Sequence, residues 1–505
     1  MRSCFYCLIA VILLHSSVAR AQTDISISRK SFKTDKPGFK EAWECIGKGD
    51  SYYVAGGIWY AKAFDEYLQA IVYNPSNPEL NYKTGVSALF SDRKEEAAGF
   101  LLKALEVKNN VTPDILLLTG RALQYAGRYS EAIEKFEGYL NSAGKKSEDD
   151  IAVTKRCIGE CNSALLVTKD TMKIEITNLG GSINTSADEY SLVISSDGNT
   201  LYFASRRELP KSSNFYPDSK FDENIFISRY VNGSWEMAAI AGKALVTPYC
   251  ETPLFLNSTG DILYVYSGFQ QGGDIKMSQF KKGEWKTPED IPFGINSGGS
   301  ETSFTITPSG SEIYYVTDDG RKSIGGKDIY FIKKLSDRKW SKPQNAGTVI
   351  NTLLDEESVR FSKSGDTLWF SSKGHNSIGG YDVFYSIRNA EGVWDSVKNC
   401  GYPVNTPWDD MFYAPSPVDR SLFYFVSNRN GGLGRLDLYQ GRIIPADPVL
   451  FAEPSVLPAA DTLMVRDTIS VEKEIIAPPS EIIAVPDSTA LPGSTKENNT
   501  GLKIP

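Results

Sequence analysis

The sequence has 505 residues, 41% of them hydrophobic and 23% charged, with a formal net charge of −8. This is ordinary globular composition, long enough for two or three domains with cores of their own, and it excludes a fibre or a wholly disordered chain. The negative balance also argues against nucleic acid as a partner, since phosphate backbones are held by clustered Lys and Arg.

Met1-Arg2 is followed by the apolar run Leu8-Ile9-Ala10-Val11-Ile12-Leu13-Leu14 and then by Ala19-Arg20-Ala21 before Gln22. A basic start, a short apolar core and a small-x-small site predict a secretory leader over residues 1–21. The run is too short to cross a bilayer, and no later stretch approaches about eighteen apolar residues, so an exported chain with no transmembrane segment is expected. Cys4 and Cys7 precede the apolar core, whereas a lipid anchor needs its cysteine just after it. Loss of the leader removes two arginines and takes the balance to −10. Residues 22–39 read as an N-terminal extension.

Residues 40–170 have the apolar spacing of three and four that marks amphipathic helices. Small-large-small triplets recur as Ala63-Tyr67-Ala70, Ala97-Leu101-Ala104 and Ala132-Phe136-Tyr139, at intervals of 34 and 35 residues, and Gly85 and Gly120 repeat the 35-residue spacing. The pattern resembles tetratricopeptide repeats, which implies paired helices that approach at the small residue, with the glycine admitting the neighbouring turn. A further helix, "SEDDIAVTKRCIGECNSALLVTKD" (147–170), is expected to cap the stack and to hold it rigidly against the next domain. Cys157 and Cys161, at i and i+4, read as two half-buried core thiols, with a disulfide from this helix to Cys45 as the minority alternative. Cys45, Cys157, Cys161, Cys250 and Cys400 are too scattered for a disulfide scaffold.

Residues 171–444 repeat a unit of four short strands that are aromatic or β-branched, with breaks at Gly, Asn, Asp or Ser. The unit starts at Glu189, Glu251, Glu301, Glu356 and, weakly, Asp410, at intervals of 62, 50, 55 and 54 residues. A lone four-stranded sheet cannot bury its faces, so this period predicts propeller blades, with five favoured over six. "SIGGKDIYF" (323–331) and "SIGGYDVFY" (377–385) are one phrase written twice. With no helix after it and no Walker lysine, it reads as a tight turn capped by Asp328 or Asp382, not as a phosphate loop. Trp235, Trp285, Trp340 and Trp394 mark the fourth strand of the first four units. The fifth unit lacks that strand, and the orphan segment "MKIEITNLGGSIN" (172–184) is expected to supply it and close the ring.

The recurrent Ser-x-Asp/Ser-Gly-x-x-Leu-Tyr-Phe-x-Ser followed by Gly-Gly-x-Asp-Ile-Tyr resembles the WD40-like repeat of periplasmic, TolB-type propellers over roughly residues 172–444. The fold class expected is therefore α followed by all-β. Residues 445–505, with nine prolines and two copies of "EIIA" (474–477 and 481–484), read as an acidic disordered tail.

Catalytic signals are few. After leader removal His375 is the one histidine, set in a loop and expected to be exposed, so a Ser-His-Asp, Cys-His or His/Cys zinc centre lacks its residues. Acidic pairs such as Asp188-Glu189 and Glu356-Glu357 recur per blade as structural elements do, and no enzyme and no cofactor is expected. Each blade's opening acid, Glu189, Glu251, Glu301, Glu356 and Asp410, is expected to encircle one channel mouth. Arg206 and Arg207, Lys373 and Arg429 stand as counter-charges in blades one, four and five. In blade two Ser267 and Gly268, and in blade three Asp318 and Asp319, occupy those positions, which predicts an acidic sector there that a cation or basic side chain of a partner would join. The alternative is that the acids hydrogen-bond backbone and that loop lysines such as Lys322 neutralise the rest.

The pairing of helical repeats with this propeller resembles periplasmic scaffold subunits of gram-negative envelopes, including the type IX secretion and gliding apparatus. It implies a non-catalytic adaptor, periplasmic or outer-membrane associated, that meets envelope proteins through its helices and propeller face. Such proteins often carry an OmpA-like domain after the propeller; the tail stands in its place here, which speaks against peptidoglycan anchoring. The alternative function is a propeller that captures a peptide, glycan or cation at its channel mouth.

Overall fold

A computed structural model describes residues 25–169, 173–209, 221–268, 272–321 and 323–444. The leader, Lys322 and the expected tail with its "EIIA" segments lie outside the described residues. Among the described residues eight helices come first: α1 (Arg29–Phe32), α2 (Phe39–Ala55), α3 (Tyr60–Tyr73), α4 (Pro78–Leu89), α5 (Ala97–Val107), α6 (Ile115–Tyr125), α7 (Tyr129–Asn141) and α8 (Glu148–Val167). Local chemistry sets several ends. The Asn77 side chain accepts the Leu80 N–H with Pro78 at the first helical position, and Ser147 accepts the Asp150 N–H ahead of three acidic residues in the first turn of α8.

The helices pack as three hairpins, α2 with α3, α4 with α5 and α6 with α7, and α8 lies against α7. One detail explains the spacing. A Cβ at Gly49, Gly85 or Gly120 would stand 2.6, 2.6 or 2.5 Å from Tyr67, Leu101 or Phe136, the large residue at the centre of each triplet. Each hairpin therefore keys one bulky side chain onto a bare stretch of its partner helix. Gly120→Ala should cost about 1–3 kcal/mol through overpacking, whereas Gly159→Ala, on a helical face with nothing within 4 Å, should gain roughly 1 kcal/mol. Urea denaturation followed by helical circular dichroism checks both signs.

Five sheets follow, so the propeller has five blades. Their innermost strands are Glu189–Ile194, Cys250–Leu256, Glu301–Ile306, Glu356–Phe361 and Asp410–Pro415, and these touch one another in cyclic order. The apolar core of the ring is divided into five clusters, one between each pair of neighbouring blades. Blades that cannot bury their faces alone bury them in each other. The turn after the innermost strand holds Gly198, Gly260, Gly310 and Gly365 at φ between 68 and 79°, which is why glycine recurs there.

Closure follows the expected strand exchange. Ile174–Asn178 pairs antiparallel with the third strand of blade five, Asp437–Ile443, in the register Ile174↔Ile443 to Asn178↔Tyr439. The tryptophan strand differs from expectation, because it is broken in two. Ser234–Trp235, Glu284–Trp285 and Lys339–Trp340 pair with the far end of the third strand, and Trp394 makes a single bridge to Arg388. A second short piece, such as Gln344–Asn345, then pairs nearer the middle of the same strand. In blades two and three Pro288 and Pro343 fall in the gap, where they have no N–H for a ladder. In blades one, two and four a third-strand serine donates to the carbonyl just after the tryptophan: Ser228 to Glu236, Ser278 to Lys286 and Ser386 to Asp395.

All five described cysteines are free, so the bridge to Cys45 does not form, and Cys157 and Cys161 are fully buried instead of half-buried. His375 sits exposed in its loop at φ 50°, its Nε2 2.9 Å from the Ile350 carbonyl.

Candidate functional site

The twice-written phrase is a blade-to-blade joint. Asp328 accepts the N–H groups of Ile324 and Gly325 at 2.6 and 3.2 Å, Asp382 accepts Ile378 N–H at 2.6 Å, and Asp437 accepts Leu433 and Gly434 N–H at 2.5 and 2.9 Å. The glycines beside these turns lie against the next blade: a Cβ at Gly379 would stand 2.2 Å from the Pro407 carbonyl, and one at Gly434 1.9 Å from that of Ala187. Asn351 and Asn405, in the loops that lead into blades four and five, complete the joint by copying a strand pair. Asn351 bonds both N–H and C=O of Ile329 at 2.9 Å, and Asn405 does the same to Val383 at 2.8 Å.

The five opening acids are fully buried. Each accepts from the backbone N–H and the hydroxyl of a Thr or Ser four residues earlier, in its own lead-in loop: Thr185, Thr247, Ser297, Thr352 and Thr406. Ser205, Thr317 and Ser372, at the end of the second strand, donate a third bond to Glu189, Glu301 and Glu356. The sequence carries this signal as a hydroxyl residue at the fourth place before the acid, preceded in four blades by Asn. The structure thus places these carboxylates inside the blades, tying each lead-in loop to its own blade.

The expected counter-charges divide. Arg207 reaches Glu189 at 3.1 Å and Arg429 reaches Asp410 at 2.6 Å. Lys373 pairs with Asp355 instead of Glu356, and Arg206 with Glu223, because the backbone carries those ammonium and guanidinium groups past the buried acid toward the mouth. Asp318 accepts Ser300 N–H at 2.6 Å and Asp319 forms a two-pronged pair with Arg321, so the sector between blades two and three is partly compensated within the chain. Among the described residues no group of three or more His, Cys, Asp or Glu side chains is placed to hold a metal ion.

Burial pushes all five opening acids up, and takes Glu251 and Glu356 to about 7. A carboxyl whose folded pKa exceeds its unfolded value binds more protons when folded, so its contribution is present at low pH and is lost as pH rises through the window from about 4.5 to about 7. Glu251→Gln and Glu356→Gln should therefore each flatten the pH dependence of stability in that window, by an amount on the order of 3 kcal/mol. Paired urea melts at the two ends of the window read this; parallel curves for wild type and variants would contradict it.

The cavity lies one residue to the side. It has a volume of about 290 Å³ and forms where the helical arm meets the propeller mouth, with α4, α6, α8 and the loop after α4 on one wall. Asp188, Glu357 and Asp409, the neighbours of Glu189, Glu356 and Asp410, line it, and the five buried acids do not. The arm is seated by Gln124, whose Nε2 donates to the Ile378 carbonyl at 3.2 Å, and by Tyr125, whose ring centroid is 5.1 Å from that of Trp408. Ile378 belongs to the second copy of the repeated phrase.

Charge in the lining is arranged as pairs. Arg121 and Arg156 share Glu160 at 3.1 and 3.3 Å. Lys327 meets Glu357 at 3.1 Å, and Arg435 meets Asp188 at 3.5 Å. Lys94 differs: its ammonium lies 4.9 Å from the Trp408 ring centroid and 5.7 Å from that of Tyr125, and donates to the Ser91 carbonyl at 3.0 Å. Burial takes it down to about 8, with Asp409 opposing the shift. Sequence reasoning missed Lys94, Tyr125 and Trp408, because nothing in a helical hairpin or a blade loop announces that the two will meet.

No family model matches this chain, and no curated protein matches it. Solved structures with detectable similarity include a complex of BT0996 with RGII, at TM-score 0.40 and 8% identity, covering 57% of this chain and 96% of that one. TolB from Acinetobacter baumannii is similar at TM-score 0.31 and 11% identity, over 59% of this chain and 71% of that one. An endo-arabinase from Bacteroides thetaiotaomicron is similar at TM-score 0.35 and 12% identity, over 55% and 99%. An enzyme thus stands beside TolB among the similar structures, and at TM-scores this low none of them decides what this chain does. The five-bladed fold stands on the chain's own strand pairing.

Proposed function

We propose that this chain is a non-catalytic exported adaptor of the cell envelope, of the periplasmic or outer-membrane-associated kind that its sequence resembles in secretion and gliding machinery. The observation that carries the reading is the seating of the helical arm on the propeller through Gln124, Tyr125 and Trp408. Helical stacks and propellers each present extended binding surfaces, and a buried joint between them fixes the geometry at which two partners are held. Val54 and Val72, 71% and 80% exposed on the first hairpin, are apolar positions open to such a partner. No helix among the described residues is long and apolar enough to cross a membrane.

The test is site-specific photo-crosslinking in the native envelope from positions 54 and 72. A discrete crosslinked envelope protein, the same from both positions, is the expected result. A chain that stays uncrosslinked at both positions, and elutes alone, sinks the adaptor reading. A second reading, capture of a small ligand at the mouth, is favoured by the cavity between arm and propeller.

A further inference from the structure

The lining of that cavity is unbalanced in one place. Seven basic and five acidic side chains border it. Six of the seven cations have a carboxylate within 4 Å, one of these being Asp355 just behind Lys373; among the described residues Lys94 has none. Asp409, Asp92 and Glu95 act on it through space and none comes within 4 Å; Asp409 is held by other donors, one oxygen taking the Tyr381 N–H at 3.0 Å and the other the Asn428 amide at 2.9 Å. Lys94 therefore presents three donors with a single hydrogen-bond acceptor, Ser91, and leans on two aromatic faces for the rest. Cation–π contact is worth about 0.5–2 kcal/mol and takes up none of the ammonium's hydrogen-bond donors directly, so a carboxylate can still accept from them.

The rest of the wall is aromatic. Phe90, Tyr381 and Phe412 line it together with Tyr125 and Trp408. An ammonium with no carboxylate within 4 Å at an aromatic-walled cavity, in which the other fixed cations have one, has the form of a site for one negative group carried on a compact body. The volume suits a body of monosaccharide or dipeptide size.

We propose that the cavity between arm and propeller binds a small organic carboxylate, whose charge takes the Lys94 ammonium and whose body lies against the aromatic wall. The site goes beyond the adaptor reading and does not rest on it. A peptide-type carboxylate and a sugar acid share this chemistry, and the experiment separates them. Isothermal titration of the full chain uses N-acetylphenylalanine beside its amide, and glucuronic acid beside glucose, on wild type, Lys94→Met and Lys94→Arg. Expected are binding of at least one acid, weaker binding of its neutral counterpart by about tenfold or more, a comparable loss in Lys94→Met, and retention in Lys94→Arg. Because Lys94→Met also alters packing at the joint, a second measurement uses wild type alone: reductive methylation of Lys94, read by mass spectrometry, should be slowed by the bound acid and not by its neutral counterpart. No binding by either acid, equal binding of acid and neutral partner, or an acid that binds without protecting Lys94 overturns the proposal.

Discussion

Deleting Lys173–Leu179 should remove the cooperative unfolding transition of the propeller. The segment contributes the whole outer strand of blade five, five paired residues long. It also brings Asn178, which donates to Asp437 at 2.7 Å, and the Leu179 N–H, which donates to the Leu438 carbonyl. Ile174 and Ile176 pack on the cluster between blades four and five, and Leu179 on the one between blades five and one. Its loss opens the edge of Asp437–Ile443 and weakens two blade interfaces at once, and a ring has no terminal repeat able to absorb such damage. The expected loss is on the order of a domain's whole stability, about 5–15 kcal/mol. Calorimetry of the deleted chain beside wild type measures it; an unchanged propeller transition would show that closure is not what holds the ring.

The second large effect is expected at blade five's buried ion pair. Arg429 donates to Asp410 at 2.6 Å, and also to the Pro403 and Val404 carbonyls and the Ser427 hydroxyl. Asp410 is fully buried. Arg429→Met strands that carboxylate, and removing one partner of a buried pair costs about 3–5 kcal/mol. Burial already holds the Asp410 carboxyl above its ordinary range with Arg429 present. Without the guanidinium it should rise further, so the deficit is largest at neutral pH and above and shrinks as acid protonates Asp410. Urea melts of the variant at pH values on either side of neutrality should converge on wild type toward acid; a deficit independent of pH would assign the loss to the carbonyl contacts alone.

The helical hairpins and the blades were legible because their signals are local and periodic. Gly85 and Gly120 stand at a fixed distance from Leu101 and Phe136, and every blade repeats an aromatic second strand after a turn. Closure by residues 174–178 was legible as well, since the orphan segment shares its Asn with the outer strands of other blades. The break after each tryptophan was hidden, because a two-residue piece keeps the alternation of a whole strand. The opening acids illustrate a deeper limit. Their recurrence was visible, but recurrence alone does not separate a ring of ligands from a ring of loop ties; the hydroxyl four residues earlier does, once its role is known. The cavity was least legible, for Lys94 and Trp408 are more than three hundred positions apart and meet where Gln124 and Tyr125 seat the arm on the propeller.

The register of the closing strand has a mechanical consequence. Ile174, where the chain arrives from the helices, sits opposite Ile443, where it leaves the last blade. A pull applied to the chain at Ile174 and Ile443 therefore loads one end of the pair and opens it as a zipper, bond after bond, where a parallel pair would have loaded all the bonds together in shear. A tether attached at those two points strains the ring at its seam first, and the seam is the place where a modest steady force would convert a closed propeller into an open one.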